Sequence, residues 1–320
     1  MSKSHRGTAR PARPNRSVAP TSSGLAGWRA QHPLLFNLLP VALVLLIIVT
    51  LVVIKATGGS ASPAASTLAP GVTPAKTATS TGTSALPAGV LAAVTSVSAS
   101  TLATVDDPSA LTAPTRVSGN QAALTASDGK PEIVYIGAEY CPFCAAERWA
   151  LVEALSRFGT FSGLSATHSS STDVYPDTAT FSFYGSTYTS PYLDFNPVEE
   201  ETNQPAGNSY ATLQTPTAAE NSLLTTFDAA PYTSDPGSIP FLDIGNKYVV
   251  IGASFSPEIL QGLSMSAIAR DLDNPSSVVA TAIDGTANQI TASICAITGN
   301  QPASVCNSPT IAAIAQKLGS

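Results

Sequence analysis

The chain has 320 residues, of which 44% are hydrophobic and 11% are charged, and its formal net charge is −6. This length allows a large buried core in one or two domains. From residue 56 onward, eight basic side chains accompany 21 acidic ones, a balance that argues against binding to nucleic acid or adsorption to anionic lipid.

An uncharged apolar run is the first element along the chain. Residues 34–54 have the sequence LLFNLLPVALVLLIIVTLVVI. A helix of this length, at about 1.5 Å per residue, spans a hydrocarbon core of about 30 Å. The run is longer than the apolar core of a cleavable signal peptide, which has roughly 7–15 residues. We therefore predict one transmembrane helix acting as an uncleaved signal anchor, with a cleaved signal peptide as the alternative.

Charge predicts how this helix is oriented. Residues 1–33 carry six Lys and Arg residues and no acidic residue, so the positive-inside rule predicts a cytoplasmic basic arm. The bulk of the chain is then extracytoplasmic, attached to the cell membrane by a single pass. Residues 55–86 are rich in Ser, Thr, Ala, Gly and Pro and lack aromatic residues, which is typical of a flexible stalk.

Alternating strand and helix patterns indicate that residues 87–320 form an α/β domain. A short helix is expected just after Pro87, and the apolar run EIVYIGA predicts a buried strand. The segment that follows, CPFCAAERWALVEALSRFGTF, has apolar residues every three or four positions. It predicts an amphipathic helix with Arg148 toward solvent and Gly159 as its C-cap.

The second half of the domain is less periodic. We predict an insertion at about residues 173–235 that contains one helix, TAAENSLLTTF, and a solvated charge run, Glu199–Glu201. The runs IPFLDI and KYVVI flank Gly245-Asn246, which indicates a hairpin with a two-residue turn. From Ser256 onward the pattern predicts a helical C-terminal extension with a break at Asn274-Pro275.

Cys141-Pro142-Phe143-Cys144 stands where the predicted strand meets the predicted helix. Proline favours the first helical position, which makes Cys141 the N-cap and places Cys144 one turn later on the same side. The positive end of the helix dipole favours a thiolate on Cys141. This division of roles predicts a nucleophile, Cys141, and a resolving thiol, Cys144.

Other uses of the CxxC pair stay open. A structural zinc site needs four ligands, and the other two cysteines have ten residues between them rather than two, a poor match. A static disulfide, metal delivery and sensing are further alternatives. For Cys295 and Cys306 we expect a structural disulfide across the turn at Gly299 and Pro302, or else a second redox pair.

The strand, the CPFC turn, the helix and a later hairpin opened by Ile239-Pro240 together resemble the thioredoxin superfamily. The resemblance implies a thioredoxin-like fold, a central mixed sheet flanked by helices, enlarged here by the insertion. It implies a cis peptide bond before Pro240, with this proline lying against the thiols and excluding metals. It also implies that the Ile239 backbone pairs with an incoming peptide.

The extracytoplasmic part also resembles a family of membrane-anchored thioredoxin-like proteins of unknown function with a CPxC motif. The residues that carry this likeness are YIGAEYCPFCAAERWAL, SSSTDVYP and the late cysteine pair. Two positions depart from the wider superfamily: Tyr135 stands where many members have a buried acid, and Phe143 where strong oxidases have histidine. We therefore expect a milder oxidant, with a less depressed Cys141 pKa.

These features together predict a membrane-anchored thiol–disulfide oxidoreductase acting on protein thiols or disulfides. Tyr140 and Phe143 are the candidates for apolar peptide contact, whereas Glu139 is expected to be exposed. No flavin or nicotinamide motif occurs, so the cysteine pair itself is the expected redox carrier, without a metal. An integral-membrane redox partner is also expected. The alternative is a redox-inert or sensing module on the same fold.

Overall fold

The computed structural model describes residues 82–319. Within this range the chain forms helices that are mostly short, apart from two long ones: α1 (Val90–Thr95), α2 (Ala99–Val105), α3 (Pro142–Ser156), α4 (Ala218–Phe227), α5 (Met265–Asp271), α6 (Val278–Ile297), α7 (Ala303–Cys306) and α8 (Pro309–Lys317), with a 3-10 turn at Pro257–Leu260.

The strands are equally short: β1 (Ser84–Ala85), β2 (Thr115–Arg116), β3 (Glu132–Gly137), β4 (Thr160–Ser162), β5 (Ser165–His168), β6 (Ala179–Ser182), β7 (Thr187–Thr189), β8 (Asp194–Glu199), β9 (Glu201–Ala206), β10 (Ser209–Thr212), β11 (Phe241–Ile244) and β12 (Tyr248–Ile251).

A five-stranded mixed sheet forms the centre, in the order β2-β12-β11-β3-β8. Strand β3 is parallel to β8 and antiparallel to β11, and β12 is antiparallel to both β11 and β2. Alternate residues of β3 enter different apolar clusters: Ile133 and Tyr135 pack toward α3, whereas Val134 and Ile136 pack with Phe227 of α4. The expected α/β class, a mixed sheet flanked by helices, is confirmed.

Strand β8 corrects the predicted insertion. It lies inside residues 173–235, yet it pairs along its whole length with β3. The sequence signal was weak because β8 contains Pro197, which cannot donate to a ladder. The strand tolerates this residue because it is at the edge of the sheet. Segments outside the central sheet therefore occur both before β8, at β5–β7, and after it, at β9, β10 and α4.

The predicted stalk also extends too far. Ser84 and Ala85 fall within residues 55–86 but form β1, which pairs with Ala166 and Ser165 of β5. Backbone pairing to a distant strand has no signature in a Ser- and Ala-rich segment. Residues 55–81 of the predicted stalk lie outside the described residues.

Helix α3 is buried on all sides, so the prediction of an amphipathic helix with Arg148 in solvent is wrong. Every side chain from Cys144 to Leu155 is buried. The helix contacts α6, β6 and α1, and Trp149 shares an apolar cluster with Ile133 and Tyr135 of the sheet. Its polar side chains are buried with partners. Gly159 is not the C-cap: the helix ends at Ser156, with Arg157 as its cap. A Cβ atom at Gly159 would overlap the Thr189 carbonyl oxygen of β7, which accounts for the glycine.

Most of the other predicted elements are present. The predicted helix TAAENSLLTTF is α4, and helices follow Ser256 with a break before Ser277. The β11–β12 hairpin has a three-residue turn, because Ile244 pairs with Tyr248, whereas a two-residue turn was predicted. The predicted membrane span, residues 34–54, lies outside the described residues. Among residues 82–319, none of the helices has the length and apolarity to cross a membrane.

Candidate functional site: the Cys141–Cys144 pair

The two cysteines lie where the chain passes from β3 into α3. Pro142 is the first helical residue and Cys141 is the N-cap, as predicted. The Cys141 Sγ accepts a hydrogen bond from the Cys144 backbone N–H at 3.3 Å. Cys141 is 5% exposed and Cys144 fully buried, and both are free thiols. The fold thus holds one sulfur near the surface and the other directly behind it.

Their surroundings give the two thiols different acidities. A hydrogen bond from the Cys144 side chain, helped by backbone N–H groups and the positive charge of Arg148, lowers the pKa of Cys141 against the effect of burial. Burial raises the pKa of Cys144 well above its ordinary value. In the reduced pair, Cys141 is therefore the thiol that ionises first.

Ile239 and Pro240 lie opposite the dithiol, at the start of β11. The Cys141 thiol is 3.7 Å from the Ile239 carbonyl oxygen, to which it donates. The peptide bond between Ile239 and Pro240 is cis. Residues 98 positions apart in sequence thus meet at the reactive sulfur, in the arrangement that the resemblance implies.

Aromatic pairs flank Cys141. The Tyr140 ring stacks on Tyr210, with 4.3 Å between ring centroids, and the Tyr210 hydroxyl donates to Ser170 Oγ. Phe143 is 39% exposed and meets the Tyr175 ring edge to face at 6.0 Å. Tyr175 and Tyr210 come from the segments before and after β8. These segments therefore supply part of the surface around the thiols.

Glu139 is not exposed, and that prediction is wrong. Its side chain is fully buried and accepts a hydrogen bond from Ser182 Oγ of β6 at 2.6 Å. Burial raises the pKa of Glu139 to about 7, although the hydrogen bond from Ser182 and the charge of Arg148 oppose this rise. The carboxyl group thus titrates in the neutral range.

An ion pair between Arg148 and Glu199 lies beneath the site, and sequence reasoning missed it. The Arg148 Nε and Nη2 donate to the two Glu199 oxygens at 2.8 and 2.6 Å, and Nη2 also donates to the Ala138 carbonyl. Both side chains are fully buried, so Glu199 is not part of a solvated charge run. Although burial opposes its charge, the Glu199 carboxylate holds the pKa of Arg148 above its ordinary value.

One sequence signal could have located Arg148. It follows Cys144 by four residues on the helix, a spacing that puts the two side chains on one face. Tyr135 lies on the adjacent strand, fully buried, and the Arg148 Cζ is 5.9 Å from the centre of its ring.

The second cysteine pair lies far from the first along the chain. Cys295 at the end of α6 and Cys306 in α7 form a disulfide, with 5.5 Å between their Cα atoms. The disulfide expected between them is present. Among residues 82–319, no group of three or more His, Cys, Asp or Glu side chains is arranged to hold a metal ion.

The comparisons with known proteins give one match. Residues 116–296, from the end of β2 almost to the end of α6, match a family described as a domain of unknown function, DUF929. Neither the curated proteins nor the solved structures provide a match. The matched segment includes the Cys141–Cys144 pair, Ile239 and Pro240, and covers more than half of the chain. The chain therefore belongs to the DUF929 family, a domain of unknown function.

Proposed function

We propose that the protein is a thiol–disulfide oxidoreductase in which Cys141 is the nucleophile and Cys144 the resolving thiol. One observation carries the proposal: the Cys141 Sγ caps α3 and accepts a hydrogen bond from the Cys144 N–H, while Cys144 lies buried behind it. This geometry favours a thiolate on the outer sulfur and keeps the inner one protonated until it is needed.

A thioredoxin-like fold is part of the proposal. Its support is that the strand before CPFC, the helix after it and the hairpin headed by Pro240 belong to one layered unit built on one sheet. The segments on either side of β8 are then additions to this core, as is the helical extension after Ser256.

The reaction conserves sulfur, protons and electrons. In the reducing direction the Cys141 thiolate attacks one sulfur of a substrate disulfide. A bond forms between these two sulfurs, and the other substrate sulfur leaves and takes up a proton. Cys144 then attacks the Cys141 Sγ, the mixed disulfide breaks, and the second substrate sulfur leaves with the Cys144 proton. Two electrons pass from the dithiol to the substrate, and oxidation of a substrate dithiol is the reverse.

The substrates we propose are polypeptides. The surface around Cys141 offers the exposed Phe143 ring and the Tyr140–Tyr210 stack for apolar side chains. The Ile239 carbonyl, 3.7 Å from the Cys141 Sγ, is positioned to accept a hydrogen bond from a peptide N–H that brings a cysteine to this sulfur.

We also propose a location and a route for electrons. The apolar run 34–54 would anchor the chain in the cell membrane, with the domain extracytoplasmic. The Cys295–Cys306 disulfide is compatible with an oxidising compartment. The cysteine pair would be the redox carrier without a further cofactor, and an integral-membrane protein would exchange electrons with it.

The burial of Cys141 favours a second candidate, a sensing or binding module whose dithiol does not turn over. Only 5% of this residue is exposed, and its thiol already has an acceptor in Ile239. Under this alternative, the same aromatic surface binds a partner and no electrons are transferred.

A trapping experiment separates the two candidates. In full-length protein carrying Cys144→Ala, Cys141 can form a mixed disulfide that nothing resolves. We expect adducts with insulin chains and with native partners that disappear on reduction, and none in the matched Cys141→Ala variant. If Cys144→Ala forms no adduct, and the wild-type protein neither reduces insulin nor oxidises a reduced test protein, the oxidoreductase proposal is wrong.

A further inference from the structure

The Tyr135 hydroxyl is buried beside Cys144 without a hydrogen-bond partner. Tyr135 is fully buried, and its Oη finds neither donor nor acceptor in the described part of the chain. A Cβ atom at Gly137 would overlap this Oη and would lie 3.0 Å from the Cys144 Sγ. The hydroxyl and the thiol therefore border the same small space, which exists because residue 137 is glycine. Since an unpaired buried hydroxyl destabilises a fold, its presence here needs a reason.

Arg148 provides a second unpaired donor in the same region. Its Nε and Nη2 are used by Glu199 and Ala138, but its buried Nη1 has no acceptor within residues 82–319. Arg148 follows Cys144 by one turn of α3 and lies against the Tyr135 ring, 5.9 Å from its centre. Two donors without an acceptor, one of them cationic, thus lie near a thiol that is fully buried.

We infer that Tyr135 and Arg148, here called the activating pair, stabilise the thiolate that Cys144 forms when it resolves a mixed disulfide on Cys141. The inference rests on the proposed function and assigns it a further step. In the resting protein both donors lack an acceptor, and the developing negative charge on the Cys144 Sγ supplies one. In a site that is buried from bulk solvent, such fixed donors stabilise a charge more than they would at the surface.

The atoms of this step balance. The Cys144 S–H proton passes to the departing substrate sulfur, the Cys141–substrate bond breaks and the Cys141–Cys144 bond forms. Tyr135 keeps its proton throughout, because burial raises the pKa of its hydroxyl well above the ordinary value. The other ionisable groups near the activating pair are Cys141 at the N-terminus of α3, Glu199 of β8, which neutralises part of the Arg148 charge, and Glu139 in the turn after β3.

Reaction of full-length, reduced protein with dithiodipyridine separates the two steps. Cys141 attacks first and releases one thiopyridone; Cys144 then attacks Cys141 and releases the second. In Tyr135→Phe we expect the second phase to slow by about tenfold, because a donor to a charged group is lost. The first phase should change little, since backbone N–H groups also stabilise the Cys141 thiolate. The melting temperature should be unchanged or higher, because Phe removes an unpaired hydroxyl.

Tyr188→Phe is the matched control. The Tyr188 hydroxyl donates to the Leu155 carbonyl at 2.8 Å and is not among the groups around the dithiol. This variant should melt at a lower temperature than wild type, yet its second phase should proceed at the wild-type rate. If Tyr135 had only a structural role, Tyr135→Phe would instead melt at a lower temperature than wild type and resolve at the wild-type rate. The inference would be overturned if the second phase had the same rate in wild type and Tyr135→Phe. It would also be overturned if Tyr135→Phe and Tyr188→Phe slowed this phase equally.

The charge on Arg148 is tested by replacing both partners of the ion pair. Arg148→Gln with Glu199→Gln removes the cation without leaving a buried unpaired carboxylate. The second phase should slow and its pH profile should move to higher pH, because the Cys144 thiol then ionises less readily. An unmoved profile contradicts the role of Arg148. If wild-type protein shows no first phase at all, the proposed function itself fails, and the inference fails with it.

Discussion

At the scale of single residues, a difference in burial gives two chemically identical thiols different acidities. Cys141 and Cys144 are three positions apart, but one is a helix cap that accepts a backbone N–H and the other is enclosed by β3 and α3. The hydrogen bond lowers the pKa of Cys141, whereas burial raises the pKa of Cys144. A cap position near the surface therefore creates the nucleophile, and a position one turn deeper creates the resolver.

This asymmetry predicts selective alkylation. Iodoacetamide added to reduced, folded, full-length protein should label Cys141 and leave Cys144 unlabelled. When the rate of Cys141 alkylation is plotted against pH, its midpoint should lie at a lower pH than for an ordinary cysteine, because the pKa of Cys141 is lowered. Peptide mass spectrometry measures both. Unfolding the protein first should label the two cysteines equally, and equal labelling without unfolding would contradict the assignment of roles.

The sequence predicts the part of this site that depends on local signals. Proline at the first helical position and a cysteine before it suffice to predict the cap and the order of the thiols. The burial of Glu139, Arg148 and Glu199 is different, because it results from contacts with β6 and β8. Those contacts join residues 43 or 51 positions apart, and nothing in the local pattern around a charged side chain encodes them.

At the scale of elements, the long helices and the strands β3, β11 and β12 were predicted, whereas β8 of the same sheet was not. The apolar periodicity around Trp149 identifies α3 but does not show that α6 covers its outer face. Strand β8 was missed since Pro197 interrupts its pattern. The hairpin at Gly245 was found from its turn residues, although Asp243 Oδ1 accepts from the Asn246 N–H and widens the turn to three residues.

The disulfide between α6 and α7 gives a prediction at this scale. Replacing Cys295 and Cys306 by Ala removes a link across eleven positions. We expect the free energy of unfolding to fall by about 3 kcal/mol, because the unlinked unfolded chain gains conformational entropy. Chemical denaturation measures the change. The paired variant Cys141→Ala, Cys144→Ala is the control for losing two cysteines, and a loss no larger than in this control would contradict a structural role.

At the scale of the whole molecule, the domain keeps several carboxyl groups where water cannot stabilise their charge. Burial raises the pKa of Glu139, Glu147 and Asp243 to about 7 and that of Asp284 to about 10. Two of the four lie on α3 or in the turn that leads to it. The architecture that hides the Cys144 thiol therefore also couples the stability of the fold to pH.

The sign of this coupling follows from where the protons are held. Above the unfolded values of 3.8–4.5, the unfolded chain releases these protons while the folded chain still binds them, so rising pH favours unfolding. The stability that these groups contribute is fully present below their unfolded pKa values. It is lost as the pH rises through their folded pKa values. Acidic groups with a lowered pKa, such as Asp273, change the stability only at lower pH, so they do not oppose the loss of stability at rising pH.

We therefore expect the domain to be more stable at about pH 5 than at about pH 8, by on the order of a few kcal/mol. Chemical denaturation of protein carrying Cys141→Ala and Cys144→Ala, in which no thiol of this pair titrates, isolates the carboxyl groups. Adding Glu139→Gln and Glu147→Gln should flatten the slope, because amides hold no titrating proton. Asp273→Asn should leave the slope unchanged even if it lowers stability throughout. A slope of the opposite sign, or one that the two Gln substitutions leave unaltered, would show that these buried carboxyls are ionised in the folded protein.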